Sequence, residues 1–213
     1  MILDSRRSCH VCSCAPNACV TWDLPTFTYT LRALRPIRAG EEVTISYVFR
    51  LTSQAVRRKE LEAKYAFRCK CASCQLVGAE REQSDKARAF LALRLRRANE
   101  DDRLFEKWLE GATPSESGGL QTGLDASGLK LVEATWSKME EEQCPEEDLW
   151  GRVLAQLVKG YSVLQDEERV RKYAKRAAEL RRAFTGDDGG WMAVAENPRR
   201  TDWWAKAVGR KGD

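Results

Sequence analysis

Histidine is almost missing from this chain: 213 residues contain one, His10. A catalytic zinc ordinarily leans on several imidazoles and keeps one position open, and here no second histidine is available for that. Also missing is any run of roughly eighteen or more apolar residues, so no membrane-spanning helix is expected. Met1 to Cys14 lacks the apolar stretch of a secretory signal. Charge of one sign is not in excess either. Lys and Arg number 36 against 32 Asp and Glu, for a net charge of +4, whereas a dedicated nucleic-acid binder concentrates basic charge on one face. Nucleic acid and membrane are therefore not the expected partners. A reducing compartment, nucleus or cytoplasm, is expected, where eight cysteines read as thiols and metal ligands, not disulfides.

What is present suffices for a packed core, since 43% of residues are hydrophobic, in one large domain or two small ones. The chain changes character near residue 76. Before it, Ala18 to Trp22 and Phe27 to Leu34 read as strands around an Asp23-Leu24-Pro25 turn, with apolar and polar side chains alternating as a half-buried strand requires. Val43 to Tyr47 alternates in the same way. Thr52-Ser53-Gln54 offers a helix N-cap, and Val56, Leu61 and Tyr65 mark one face of the helix that follows. Beyond residue 83 the pattern is helical. One helix is expected from Ser84 to about Glu110, with a break near Asn99. After a Thr113 to Gly119 linker come three amphipathic stripes. These are Leu129, Val132, Trp136 and Met139; Leu154, Leu157, Val158 and Tyr161; and Val170, Tyr173, Ala174 and Ala177. The segment from Gly186 on, rich in Gly, Trp and Arg, is expected to be irregular. The basic runs at Arg94, Arg96 and Arg97 and from Arg169 to Arg176 read as solvated helix faces.

The sharpest chemical signal is Cys69-Lys70-Cys71-Ala72-Ser73-Cys74. Three thiols within six residues can wrap one soft cation, and a structural zinc ion (Zn2+) closes its tetrahedron with a fourth Cys or His. Spacing leaves several candidates for that corner: Cys14 and its neighbours, His10 and Cys144. Cys9 and Cys12 also have ligand-pair spacing and could form a second site with His10 and Cys14. With so many cysteines crowding its start, the chain is expected to be the C-terminal part of a longer one.

Four segments in this order resemble the C-terminal half of a SET domain with its post-SET cysteines. They are Cys14-Ala15-Pro16-Asn17-Ala18, Arg35 to Tyr47 with its Gly40-Glu41-Glu42, Arg57 to Leu61, and Tyr65 to Cys74. The spacing is similar to that of the split-SET subgroup, which includes MYND-containing proteins and many fungal relatives. The resemblance implies an α+β fold: a β-rich partial SET domain with a post-SET zinc motif over 1–76, a mainly helical region over 83–186, and an irregular tail over 187–213. It implies transfer of a methyl group from S-adenosyl-L-methionine to a protein lysine, with histones among the candidate substrates. It assigns Tyr47 as the catalytic tyrosine, Tyr65 and Phe67 to the cofactor and substrate side, and Cys14 with Cys69, Cys71 and Cys74 to the metal. Asn17 has a structural reading in the turn after Pro16.

The chain departs from the family's pattern in two ways. Where the family has Asn-His-Ser-Cys, this chain has Val11-Cys12-Ser13-Cys14, which removes two polar contacts to the cofactor. The early glycine-bearing strands of the SET fold are also not in this sequence. The expectation is accordingly a methyltransferase-related protein that is impaired or inactive as this truncated chain. The alternative is a non-catalytic, zinc-stabilised protein-interaction module.

Overall fold

The computed structural model describes residues 12–109 and 126–204. The fold is α+β and mainly helical. Among the described residues the sheet is one antiparallel hairpin, β1 (Ala18–Asp23) and β2 (Thr28–Ala33), paired from Ala18↔Ala33 to Asp23↔Thr28. The helices are α1 (Gln54–Tyr65), α2 (Ala72–Gln75), α3 (Gly78–Leu109), α4 (Ala126–Glu141), α5 (Glu147–Val163), α6 (Glu167–Thr185) and α7 (Trp191–Glu196). No helix among the described residues is long and apolar enough to cross a membrane. His10 and the Thr113 to Gly119 linker lie outside the described residues.

Two compact units are built from interleaved segments. The first comprises residues 12–93, 138–146 and 183–186, and the second 94–109, 126–137, 147–182 and 187–204. The second unit realises the expected stripes. Leu129, Val132 and Trp136 of α4, Leu154, Leu157, Val158 and Tyr161 of α5, and Val170, Tyr173, Ala174 and Ala177 of α6 are all buried, as amphipathic helices packed on one another must be. The basic runs carry ion pairs along their helices, Arg97–Glu100, Arg169–Asp166, Arg171–Glu167 and Arg176–Glu179. That is how solvated faces of mixed charge behave.

Several sequence expectations need correction. Helix α3 is continuous through Asn99, because a single residue of weak helix propensity costs only a few tenths of a kcal/mol and long flanks outweigh it. The stretch from 187 is not irregular throughout: α7 and a 3-10 turn at Pro198–Arg200 interrupt it. Among the described residues Val43 to Tyr47 forms no strand, only a parallel bridge between Ile45 and Cys12. The buried stripe of α1 is Gln54, Arg57 and Leu61, while Val56 and Tyr65 are exposed. Polar side chains win that face because their heads bond carbonyls: Gln54 Nε2 donates to Ser73 O at 3.2 Å and to Leu76 O at 3.0 Å.

The hairpin is amphipathic in the inverse sense to a half-buried strand. Cys19, Thr21, Thr30 and Arg32 share the partly buried face, where the Cys19 thiol donates to Ala183 O at 3.2 Å and Arg32 donates to Thr21 Oγ1 at 2.8 Å. Val20 and Trp22, paired with Leu31 and Tyr29, point the other way. They are exposed, Tyr29 by 73%. Trp22 and Tyr29 pack with ring centroids 4.4 Å apart and planes tilted by 52°, each sheltering part of the other.

Asn17 holds the entry to the hairpin. It is buried, and its amide donates to Glu42 O at 2.8 Å and Glu41 Oε1 at 3.1 Å, while Oδ1 accepts from Thr44 N at 2.8 Å. Asn17→Ala would strand the Thr44 amide and the Glu42 carbonyl, so we expect a loss of about 1–3 kcal/mol in urea unfolding followed by tryptophan fluorescence. Arg35, with help from the Arg38 amide and Asn17, holds the Glu41 carboxyl down at about 2. A carboxyl depressed on folding stabilises above its ordinary range and loses that contribution as pH falls through its folded value. The unfolding midpoint is therefore expected to drop between about pH 4.5 and about pH 2, and Glu41→Gln should flatten that part of the profile.

Candidate functional site

The cysteine cluster starts from a local rule. Cys71 is the N-cap of the single-turn α2, and Cys74 N and Gln75 N donate back to Cys71 O at 2.9 and 3.1 Å. Residues three apart in a helical turn share a side, so Cys71 and Cys74 present their thiols together, with Cys69 just before them. Cys14 arrives from the other end of the unit. Its Sγ lies 3.5 Å from Cys74 Sγ, and its backbone N–H donates to Cys71 Sγ at 3.4 Å.

The sulfurs of Cys14, Cys69, Cys71 and Cys74 all lie within 4.8 Å of one another, three of them on buried residues. Zinc at about 2.3 Å from each sulfur needs tetrahedral edges of about 3.8 Å, so the thiols fit that ion with little adjustment. The cluster can hold a metal ion. Among the described residues Cys12, Cys19 and Cys144 are not part of the cluster. Cys144 is buried elsewhere in the unit with its thiol pushed up to about 11 by that burial, and His10 and Cys9 lie outside the described residues.

The electrostatics point the same way. Packed together, four thiols cannot all ionise without a cation, because each thiolate repels the next. Hydrogen bonds from Cys14, Cys69 and Cys74 push the Cys71 thiol down, and the complementary contacts push Cys69 and Cys74 up. Cys14 is lowered to about 7, chiefly by its contact with Cys69. A divalent cation removes the competition and favours the thiolate at all four positions.

Beside the thiols lies an aromatic cluster. The Tyr47 ring is 5.1 Å from Tyr65 and 6.3 Å from Phe67, the latter edge to face. Tyr47, Phe67 and Cys71 pack on the buried group formed by Cys12, Cys14, Val48, Leu61, Cys69 and Cys74. A backbone feature sets the two helix-end aromatics apart: Ala66, the C-cap of α1, is left-handed at φ 56° and turns the chain between Tyr65 and Phe67. Cys12 touches both clusters. Its carbonyl accepts from the Cys69 thiol at 3.5 Å, and its own thiol is lowered by contact with Cys69 and then the Tyr47 amide.

Two supporting residues escape sequence inspection. Arg88, in the middle of α3, is fully buried and bonds to Cys14 O. Glu142, in an acidic run that reads as a helix end, pairs with it at 2.8 Å. Neither has a local pattern that distinguishes it from neighbouring surface charges.

The remote ligand supplies the test. Cys14→Ser leaves three thiols and a poor fourth donor, so we expect metal affinity to fall by at least about tenfold and the melting temperature of the metal-loaded chain to drop. Metal content by mass spectrometry and a thermal scan check it; unchanged occupancy would remove Cys14 from the site.

A family model described as SET domain matches residues 5–48. Mouse histone-lysine N-methyltransferase SMYD3 is 44% identical over 63 residues, 30% of this chain and 14% of that protein. Histone-lysine N-methyltransferase set5 of Schizosaccharomyces pombe is 36% identical over 93 residues, 43% of this chain and 28% of that protein. Chicken protein-lysine N-trimethyltransferase SMYD5 is 41% identical over 71 residues, 32% of this chain and 17% of that protein. The aligned part thus spans less than a third of each relative. Residues 5–48 are thus similar to a SET domain, and the chain resembles protein-lysine methyltransferases over a part of their length.

Proposed function

We propose that the first unit is the C-terminal half of a SET fold with a post-SET zinc clasp, serving methyl transfer from S-adenosyl-L-methionine to a protein lysine in the nucleus or cytoplasm. The observation that carries this reading is Tyr47 packed against Tyr65 and Phe67, beside four convergent thiols, at the end of the matched segment. In this reading Cys14, Cys69, Cys71 and Cys74 hold a structural Zn2+. The thiolate set favours zinc over harder cations, and four protein ligands leave no open position for chemistry at the metal. The ion's task is to tie the Tyr47 segment to Tyr65 and Phe67.

Transfer would form a bond from lysine nitrogen to the methyl carbon as the bond from that carbon to the sulfonium sulfur breaks, its electron pair going to the sulfur, which leaves as a thioether, and the positive charge passing to the nitrogen. Only the neutral amine attacks, and a narrow aromatic channel favours it by penalising the ammonium form. Tyr47, with Tyr65 and Phe67, would orient the amine in line with the methyl group, and positioning of that kind supplies much of the rate. Histones are the substrate class the relatives' names support.

We further propose that cofactor binding is weakened by Val11 and Cys12, where the resemblance puts asparagine and histidine. Each lost polar contact costs about 1–3 kcal/mol, roughly tenfold or more in affinity. A second reading, a zinc-steadied interaction module, is favoured by the exposed apolar face of the hairpin.

Calorimetric titration with S-adenosyl-L-methionine separates these readings. We expect no micromolar binding by the unaltered chain, and binding tighter by roughly tenfold or more in a Val11→Asn, Cys12→His variant. Clear micromolar binding by the unaltered chain would overturn the impairment. Absence of binding by both would favour the interaction module.

A further inference from the structure

Arg88 lies on α3, outside the cysteine segments, yet its side chain is completely buried. Its Nε donates to Glu142 Oε2 at 2.8 Å. One terminal nitrogen donates to Cys14 O at 3.2 Å and Arg50 O at 2.7 Å; the other donates to Ser73 Oγ at 3.2 Å and Glu142 O at 3.4 Å. Glu142 also accepts from Ser84 Oγ at 2.7 Å, so the buried cation is paired and hydrogen-bonded, the condition under which such burial is tolerated.

Two of these contacts bear on the thiol cluster from opposite sides. Cys14 is the isolated ligand, and Ser73 stands between Cys71 and Cys74 in the turn that carries the other thiols. A single planar fork therefore bridges the segment of the remote thiol and the turn of the local trio. Gln54 and Arg58 also grip that turn, through Ser73 O, Leu76 O and Cys74 O, which leaves the span to Cys14 as the particular contribution of Arg88. A lysine could not reproduce it, because a compact ammonium lacks the rigid fork that addresses two acceptors in fixed directions.

We propose that Arg88 is the positioning residue of the four-thiol site: its guanidinium holds Cys14 against the Cys69–Cys74 turn, and retention of a metal ion there depends on it. This rests on the zinc reading above. It assigns to a residue of the helical region a role that the cysteine motif does not disclose. Outer-sphere partners of metal ligands typically change affinity by about 10–100-fold when removed, and loss of Arg88 is expected to fall in that range.

The test uses the full chain, unaltered and as Arg88→Met and Arg88→Lys. The readouts are zinc release to a chromogenic chelator, the visible spectrum of the Co2+-substituted protein, which reports thiolate number, and circular dichroism for the fold. We expect a four-thiolate spectrum and slow release from the unaltered chain. For Arg88→Met we expect release at least about tenfold faster and a spectrum shifted towards three thiolates, with Arg88→Lys in between. If the unaltered chain gives no four-thiolate spectrum, the zinc reading itself fails. If it does, and folded Arg88→Met matches it in spectrum and release rate, the inference about Arg88 is overturned. Should Arg88→Met not fold, Arg88→Lys decides: release indistinguishable from the unaltered chain overturns the inference, and faster release with native dichroism supports it.

Discussion

Four thiols drawn into a space 4.8 Å across constrain the first unit more than any other contact set. Soft, ionisable sulfurs at that separation repel once deprotonated and do little for one another when neutral, and a bound cation would relieve that repulsion. Closing the group joins residue 14 to the 69–74 turn. An ion bound there would cross-link points far apart in sequence and remove much of the freedom of the chain between them. That intervening chain contains the hairpin, the Asn17–Glu41 knot and Tyr47.

The polar side chains of this unit are deployed inward to serve that closure. Gln54, Arg57 and Arg88 are buried, and Gln54 and Arg88 spend their donors on carbonyls and on one carboxylate. In a large hydrophobic core such residues would be costly. Here hydrogen bonds to loop backbone offset that cost. The hairpin shows the complementary arrangement, with its polar face partly buried and its aromatic face open.

The thiols and the aromatics share one packed cluster. Tyr47 follows the turn knotted by Asn17, and Tyr65 and Phe67 stand on either side of a left-handed residue at the end of α1. Each would be an ordinary surface or core aromatic by itself. The fold brings them together beside the thiols, within a unit containing the SET match.

Local pattern was enough for much of this. Helical periodicity in Leu129 to Ala177 identified the packed faces, because burial on a helix repeats every three to four residues wherever apolar neighbours dominate. The triad Cys69, Cys71 and Cys74 announced a metal site through spacing, since thiols that close in sequence need little help to meet. Folding in three dimensions settled what spacing left open. It brought Cys14 to the trio in preference to Cys144, turned the hairpin's apolar face outward, and put Gln54 and Arg57 where Val56 and Tyr65 were expected. These outcomes depend on long-range partners, carbonyls and guanidinium forks, which carry no periodic signature. An arginine such as Arg88 reads as surface charge until the acceptors around it are known.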